Sequence, residues 1–289
     1  MSPKTGFDQA SGLRQLLGQR AVRYLAVLSA LPVNAKNGVL LNLASALVYK
    51  GAEVLLLDAA PAGQGIADQC GCYPERHVLN PPSHSSDGSV LYRHAPGIQI
   101  VRLSQQPLRQ WRDAPDHLIA LSDQLTALAT GNSFGLLDLW PTHDQPLLLP
   151  ALADSELLIA IAPNLPSVKQ AWSLIQTVQA QHGRRRWHLL AVDANRQQAH
   201  LIQQKLSQVA ADCLSMPLTL RGVIPPDRAW QQAMARGKSV TELFPNAGSA
   251  IAFRDLARQL LETAPDPQRT TGYSHRTGAS PASGVYKHV

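Results

Sequence analysis

The sequence predicts a doubly wound α/β domain, in which a mostly parallel sheet is flanked by helices. Three observations carry this. First, short runs such as YLAVLS (24–29), VLLLD (54–58), ELLIAIA (156–162) and WHLLAVD (187–193) are apolar at consecutive positions, as strands buried between two helical layers must be. Second, the stretches between these runs place apolar residues at helical spacing, so strand and helix alternate about seven times. Third, 289 residues with 45% hydrophobic content suffice for the core of one large domain and exclude a disordered chain.

Taken in order, residues 8–20 read as a short helix with Ala10, Leu13, Leu16 and Leu17 on one side. Residues 24–29 form a strand, 30–37 a loop and 38–50 a helix, which Gly51 stops. The apolar run ending in Asp58 completes one βαβ unit. Residues 61–96 carry many Pro, Gly, Ser and His residues and read as the least ordered interior stretch. A strand follows at 98–103, a helix at 116–130, and an apolar run with an acid inside it at 134–140. Beyond these come a strand at 156–162, a helix at 167–181, a strand at 187–193, a helix at 199–214 and a strand at 218–224. The last helix spans 250–261, with Ile251, Leu256, Leu260 and Leu261 inward. Three segments result: an N-terminal stretch at 1–20, the α/β domain at 21–263, and a tail at 264–289 too poor in apolar residues to fold.

Several function classes are excluded or weakened. No apolar run approaches the roughly 18–20 residues of a membrane-spanning helix, and residues 1–7 are polar with no signal-peptide stretch behind them. Cys70, Cys72 and Cys213 are too few for a disulfide scaffold and suit a reducing compartment. Cys70-x-Cys72 with His77, His84 and His94 matches no common zinc spacing, so ordinary loop thiols are expected and no metal site. No G-x-S-x-G elbow accompanies the Ser, His and Asp residues. The net charge of +6 is not spread evenly. Residues 1–37 hold Lys4, Arg14, Arg20, Arg23 and Lys36 against Asp8, and residues 264–289 hold Arg269, Arg276 and Lys287 against Asp266. The body between them is neutral, which argues against a broad DNA-binding face. Arg184-Arg185-Arg186 reads equally as a local patch or as a basic helix C-terminus facing water.

In such a sheet a ligand sits beyond the C-terminal strand ends, nearest the first strand-to-helix loop. That loop runs from Ala30 to Asn37. A phosphate cradle needs glycines, because several backbone N–H groups must converge in conformations that a Cβ disfavours. Here no glycine precedes Gly38, and Pro32 removes one N–H. Lys36 has the character of a phosphate-reaching cation, and Asn37 offers an amide oxygen to Mg²⁺ in place of a hydroxyl.

Set beside known families, the chain resembles the MinD/ParA branch of P-loop ATPases from about Asp8 to Leu261, and within it the flagellar FlhG (FleN) group. The most specific match is Asp8-Gln9-Ala10-Ser11-Gly12-Leu13-Arg14, against the signature DQAxxLR. SALPVNAKNGVLLNLASAL lies where the family has its deviant Walker A loop, KGGxGK[ST], and the helix that carries NLA, here Asn42-Leu43-Ala44. VLLLDAA stands for VLLLDAD, LLDLW for the Walker B strand, and GVIPPDRAWQQAMARGKSVTELFP for the last strand and its loop.

The departures from that pattern are specific. Leu31 replaces the signature lysine that reaches a partner's nucleotide, and Pro32, Val33 and Ala35 replace loop glycines. Lys36 keeps the Walker lysine and Asn37 replaces the hydroxyl residue that holds Mg²⁺. Asp58 keeps the first acid of the DxD element, whereas Ala60 replaces the second, which positions the attacking water. Asp138 keeps the Walker B acid, Leu139-Trp140-Pro141-Thr142 replaces the switch after it, and Asp193 stands at a purine-contacting Asn. Phosphoryl transfer rests on positioned cations and a placed water. The resemblance with these losses therefore implies a vestigial nucleotide site at Lys36, Asn37, Asp58 and Asp138, with no catalytic residue and no cofactor; ATP and Mg²⁺ are the cofactors only if the site still functions.

The same resemblance implies a regulator of bacterial flagellar number and placement. It would act in the bacterial cytoplasm, or be recruited by partners to the pole or inner membrane. Asp8, Gln9, Ala10, Leu13 and Arg14 would engage an FlhF-type signal-recognition GTPase or other flagellar assembly proteins. As a plain globular element the same helix would dock on the body through Leu13 and Leu16. The tail, with Pro265, Pro267, Gly272, Gly278, Pro281 and Gly284, lacks the amphipathic stripe of a membrane-inserting helix, which argues against stable insertion. A homo- or heterodimer stays open. Alternatives are a divergent but active positioning or partition ATPase, and an accessory protein of cellulose secretion resembling BcsQ.

Overall fold

Why the strands line up as they do follows from their two-faced apolarity. In the computed structural model, which describes residues 22–61, 63–72, 91–103, 123, 125–140, 155–183 and 185–262, eight strands form one sheet in the order β3-β4-β2-β5-β1-β6-β7-β8. They are β1 (Arg23–Ser29), β2 (Val54–Asp58), β3 (Leu91–Ala95), β4 (Ile98–Arg102), β5 (Phe134–Asp138), β6 (Glu156–Ile161), β7 (Trp187–Val192) and β8 (Leu218–Ile224). All neighbours pair in parallel except β3, which runs antiparallel to β4 at the edge. Successive side chains of a strand point to opposite faces. Leu25 and Val27 of β1 accordingly join one core cluster while Ala26 and Leu28 join the other, and β2 divides Val54 and Leu56 from Leu55 and Leu57 in the same way.

The helices are α1 (Val33–Tyr49), α2 (Ile66–Gln69), α3 (Leu165–His182), α4 (Arg196–Leu214), α5 (Arg228–Ala235), α6 (Val240–Leu243) and α7 (Gly248–Glu262). One face of the sheet is covered by α1 and α5–α7, the other by α3 and α4. Caps set several starts: Asn164 accepts from Ser167 N (3.0 Å), Asn195 and Gln198 exchange side-chain bonds with each other's backbone, and Asp227 accepts from Ala229 N (2.8 Å). Asn42, fully buried on α1, donates to Gly38 O (2.7 Å) and accepts from Val240 N (2.6 Å), tying α1 to α6.

Several sequence expectations need correction. The first helix begins at Val33, not Gly38, because Pro32 presets the N-cap backbone (φ −55°) and no glycine interrupts the turn after it. The stretch read as least ordered contributes α2 and β3. The segment read as the last strand and its loop also holds α5 and α6. In α7 the inward residues are Ala250, Phe253, Leu256, Ala257 and Leu260, whereas Ile251 (46%) and Leu261 (38%) are exposed. The expected N-terminal helix, residues 104–122 of the chain, which include the start of the helix expected at 116–130, His77, His84 and the tail lie outside the described residues.

Candidate functional site

The first turn of α1 faces the C-terminal ends of β1, β2 and β5. Lys36 N donates to Pro32 O (2.9 Å) as an ordinary helical bond, and Leu31 N donates to Ser29 Oγ (3.1 Å). With Pro32 lacking an N–H, the amides of Val33, Asn34 and Ala35 are those a helix start leaves open to a guest. No side chain caps them.

The charges of the site are engaged with one another. Lys36 is 3% exposed, its Nζ is 2.5 Å from Asp138 Oδ2, and the Trp140 ring lies 4.1 Å from it. Burial pushes Asp138 up to about 6, with Lys36 opposing and neighbouring Asp58 reinforcing the rise. Burial likewise lowers Lys36, against the pull of Asp138. Asp58 and Asp138 sit side by side because β2 and β5 pair in that register. The Asp58 carboxylate accepts from Ala60 N at Oδ1 and from Ala67 N at Oδ2, both at 2.9 Å. Burial raises Asp58 nonetheless, partly offset by these amides, Arg102 and Lys36.

The loop after β2 is held from two further sides. Asn37 Nδ2 donates to Gln64 O (3.2 Å) and Gly65 O (3.1 Å). Buried Arg102, the register partner of Asp58, forms an ion pair with Asp68, whose Oδ2 also accepts from Gly63 N (2.8 Å) and Gly65 N (3.2 Å). A Cβ on Gly65 would lie 2.1 Å from Asp58 Oδ2, so a larger residue here must displace the Asp58 carboxylate. Beside this cluster opens a cavity of about 590 Å³, with Leu31, Val33, Leu139 and Trp140 on its apolar side and Lys36 and Asn164 on its polar side.

Lys36, Asn37, Asp58 and Asp138, singled out from sequence, are thus brought together. Asp8, Gln9, Ala10, Leu13 and Arg14 lie outside the described residues. Asp193 is exposed at the end of β7 in the left-handed region (φ 52°). Arg102, Asp68 and Gly65 were not singled out, although an arginine closing the apolar run IQIV is a visible anomaly. Among the described residues no group of three or more His, Cys, Asp or Glu side chains is placed to hold a metal, and no helix is long and apolar enough to cross a membrane.

A strand-to-helix turn carrying a lysine, faced by carboxylates at the ends of two adjacent parallel strands within this strand order, defines the class: the chain has the doubly wound α/β fold of the MinD and ParA structures. In sequence it is similar to the antiactivator FleN of Pseudomonas aeruginosa, at 26% identity over 270 residues that cover 90% of this chain and 94% of the relative. Among solved structures it is similar to a ParA family ATPase from Chlorobium tepidum (TM-score 0.60, 19% identity, covering 82% of this chain and 99% of the other). It is also similar to MinD of Pyrococcus horikoshii complexed with Mg-ADP (TM-score 0.58, 17% identity, 84% and 97%). No protein-family model matches the chain.

The cofactor such a fold implies is a magnesium nucleotide. The residues do not fit it as they stand. Lys36 N is engaged within the helix, Lys36 Nζ is ion-paired below Trp140, both Asp58 oxygens are engaged by backbone amides, and the Asn37 amide nitrogen holds a loop. Ala60, 1% exposed, supplies no acid to orient a water.

Proposed function

We propose that this chain is an FlhG-like regulator of bacterial flagellar biogenesis, controlling number or placement by binding other proteins, with a nucleotide site that no longer turns over ATP. The observation that carries the reading is the likeness to FleN across nearly the whole of both chains. The vestigial character of the site is supported by the internal pairing of Lys36 with Asp138 and by the engaged Asp58. The recognition segment is Asp8–Arg14, where Gln9 and Arg14 are the residue types that orient a water or neutralise phosphate charge in trans. Its partner is an FlhF-type GTPase in the bacterial cytoplasm. Pull-down of the full chain against such a GTPase, with GTP hydrolysis followed in parallel, tests this. Capture that is lost in Gln9→Ala and Arg14→Ala supports the reading; no capture and unchanged hydrolysis overturn it.

One observation favours a second reading, a divergent but active ATPase. Asn37 Oδ1 is buried without a hydrogen-bond partner among the described residues, and an oxygen so placed suits a hard cation. Saturable Mg-ATP binding that depends on Lys36 is the result this reading requires.

A further inference from the structure

A row of polar side chains crosses the sheet at the N-terminal ends of its strands, the opposite end from Lys36, and the site above leaves it unused. Arg23 opens β1, Glu156 opens β6, and His188 and Thr219 are the second residues of β7 and β8. These four strands are neighbours in the sheet and run parallel. Thr219 pairs directly with His188, while Glu156 lies two residues before the partner of His188, and Arg23 two before the partner of Glu156. The period of two along a strand therefore places all four on one face.

Contacts run along the row. Arg23 donates to Leu260 O at the end of α7 and, from Nη2, to Glu156 Oε1 (2.6 Å). The other carboxylate oxygen, Oε2, lies 3.3 Å from His188 Nε2, and His188 Nδ1 is 2.7 Å from Thr219 Oγ1. Arg23, Glu156 and His188 are mostly shielded, with side-chain exposures of 14%, 22% and 13%. Thr219 is exposed on the outermost strand.

A row that only neutralised shielded charge would be complete with Glu156 and Arg23, yet this one continues to an exposed hydroxyl. In a neutral imidazole one nitrogen carries the proton and the other a lone pair. The carboxylate at Nε2 favours the proton there, which leaves Nδ1 to accept from the threonine hydroxyl. That contact is shorter than the hydroxyl's alternative, Trp187 O at 3.3 Å. Hydroxyl, imidazole and carboxylate within reach in that order are what activates a weak nucleophile. The carboxylate orients the ring and stabilises the imidazolium that forms, and Arg23 fixes the carboxylate. Among the described residues no strand pairs with the outer side of β8, so Thr219 meets solvent at a strand edge. The outward amides of an edge strand are donors of the kind that steady an oxyanion.

We propose that Thr219 is a nucleophilic modification site that takes an acyl group from an activated carboxylic ester, with His188 as general base and Glu156 as positioning residue. The Thr219 oxygen attacks the carbonyl carbon while its proton passes to His188 Nδ1. The tetrahedral adduct collapses, the bond to the leaving oxygen breaks, and that oxygen takes the proton from His188 and departs as alcohol. The product is an acyl-threonine ester on the protein. This proposal stands independently of the flagellar reading.

The test treats the full wild-type chain with a fluorophosphonate, in which the Thr219 oxygen displaces fluoride from phosphorus, and separately with p-nitrophenyl acetate. Adducts are located by peptide mass spectrometry, with the other hydroxyls of the chain as internal reference. Both reagents are expected to modify Thr219 ahead of every other serine and threonine. His188→Gln is expected to slow this about 100-fold or more, the scale of a lost general base. Thr219→Ser should retain labelling and Thr219→Val abolish it, with urea melts checking that each variant is folded. Glu156→Gln is expected to slow labelling about tenfold or more. It should also shift the His188 ring proton away from Nε2, read from the imidazole nitrogen chemical shifts, which a merely structural role would not do. Adducts confined to lysines, no adduct at Thr219 in folded wild type, or equal labelling of Thr219 in His188→Gln overturns the proposal.

Discussion

Replacing Lys36 by methionine separates an internal counter-ion from a phosphate-binding cation. Methionine preserves most of the stem and removes the charge. Asp138 is then left fully buried beside Asp58, with no other cation paired to its carboxylate among the described residues. Removing one partner of a buried ion pair costs about 3–5 kcal/mol, a large share of the roughly 5–15 kcal/mol that stabilises a typical domain. Loss of the contact at 4.1 Å to the Trp140 ring acts in the same direction. The pH dependence has a defined sign. Asp138 already titrates at about 6 with Lys36 present, and without Lys36 it rises further. An acid whose folded value lies above its unfolded value of about 4 contributes stability that is complete below about pH 4 and is lost as pH rises through the folded value. The deficit of Lys36→Met against wild type should therefore be widest at pH 8 and narrow towards pH 5, by up to about 1.4 kcal/mol per pH unit. Urea melts at pH 5, 6.5 and 8 measure it directly. The double variant Lys36→Met/Asp138→Asn should recover about 2 kcal/mol or more, because no uncompensated charge remains. If Lys36→Met unfolds within about 0.5 kcal/mol of wild type at every pH, the lysine is a free surface cation and the reasoning fails.

Other sites give independent checks. Burial alone would raise Glu156, but His188 and Arg23 hold it down to about 2; with 22% of the side chain exposed, Glu156→Gln should cost about 1–2 kcal/mol at pH 7 after allowance for screening. That loss should shrink as the pH of the melts falls from about 4 towards 2, since a depressed carboxyl contributes only above its folded value. Gly65→Ala would place a methyl group 2.1 Å from Asp58 Oδ2, and thermal melting should fall by about 4–10 °C, the overpacking cost at this chain size. Asn42→Ala leaves Val240 N without its buried acceptor, so a loss of about 1–3 kcal/mol should appear together with faster hydrogen exchange at that amide.

How much was legible follows from where each contact lies. The strands β1, β2, β6 and β7 were readable because burial on both faces leaves no polar position to blur the pattern. The edge strand β3 was not: LYRHA is short, exposed at Tyr92 and Arg93, and bulged at His94. The start of α1 was misplaced because the apolar periodicity becomes visible only from Gly38, whereas Pro32 followed by Val33 favours a helix immediately. Helix α6 carried a visible start signal, Ser239 three residues before Glu242, with the serine accepting from Glu242 N. In α7 the small residues Ala250 and Ala257 face the core while Ile251 does not, so counting large apolar residues chose the wrong face. At the site, the identities of Lys36, Asn37, Asp58 and Asp138 were legible, but their engagements were not. Asp58 is held by backbone amides, Asn37 by backbone carbonyls, and Lys36 by groups about 100 residues away, none of which a linear pattern reports.

Lys36 and Asp138 pair with each other and Asp58 with backbone amides, so these charges serve the protein's own interior. Isothermal calorimetry of the full chain against Mg-ATP tests it most directly. No saturable heat is expected up to millimolar nucleotide, for wild type and Lys36→Ala alike. Micromolar binding by wild type that disappears in Lys36→Ala would contradict it, and would restore Lys36, Asn37 and Asp138 to a working Mg-ATP site.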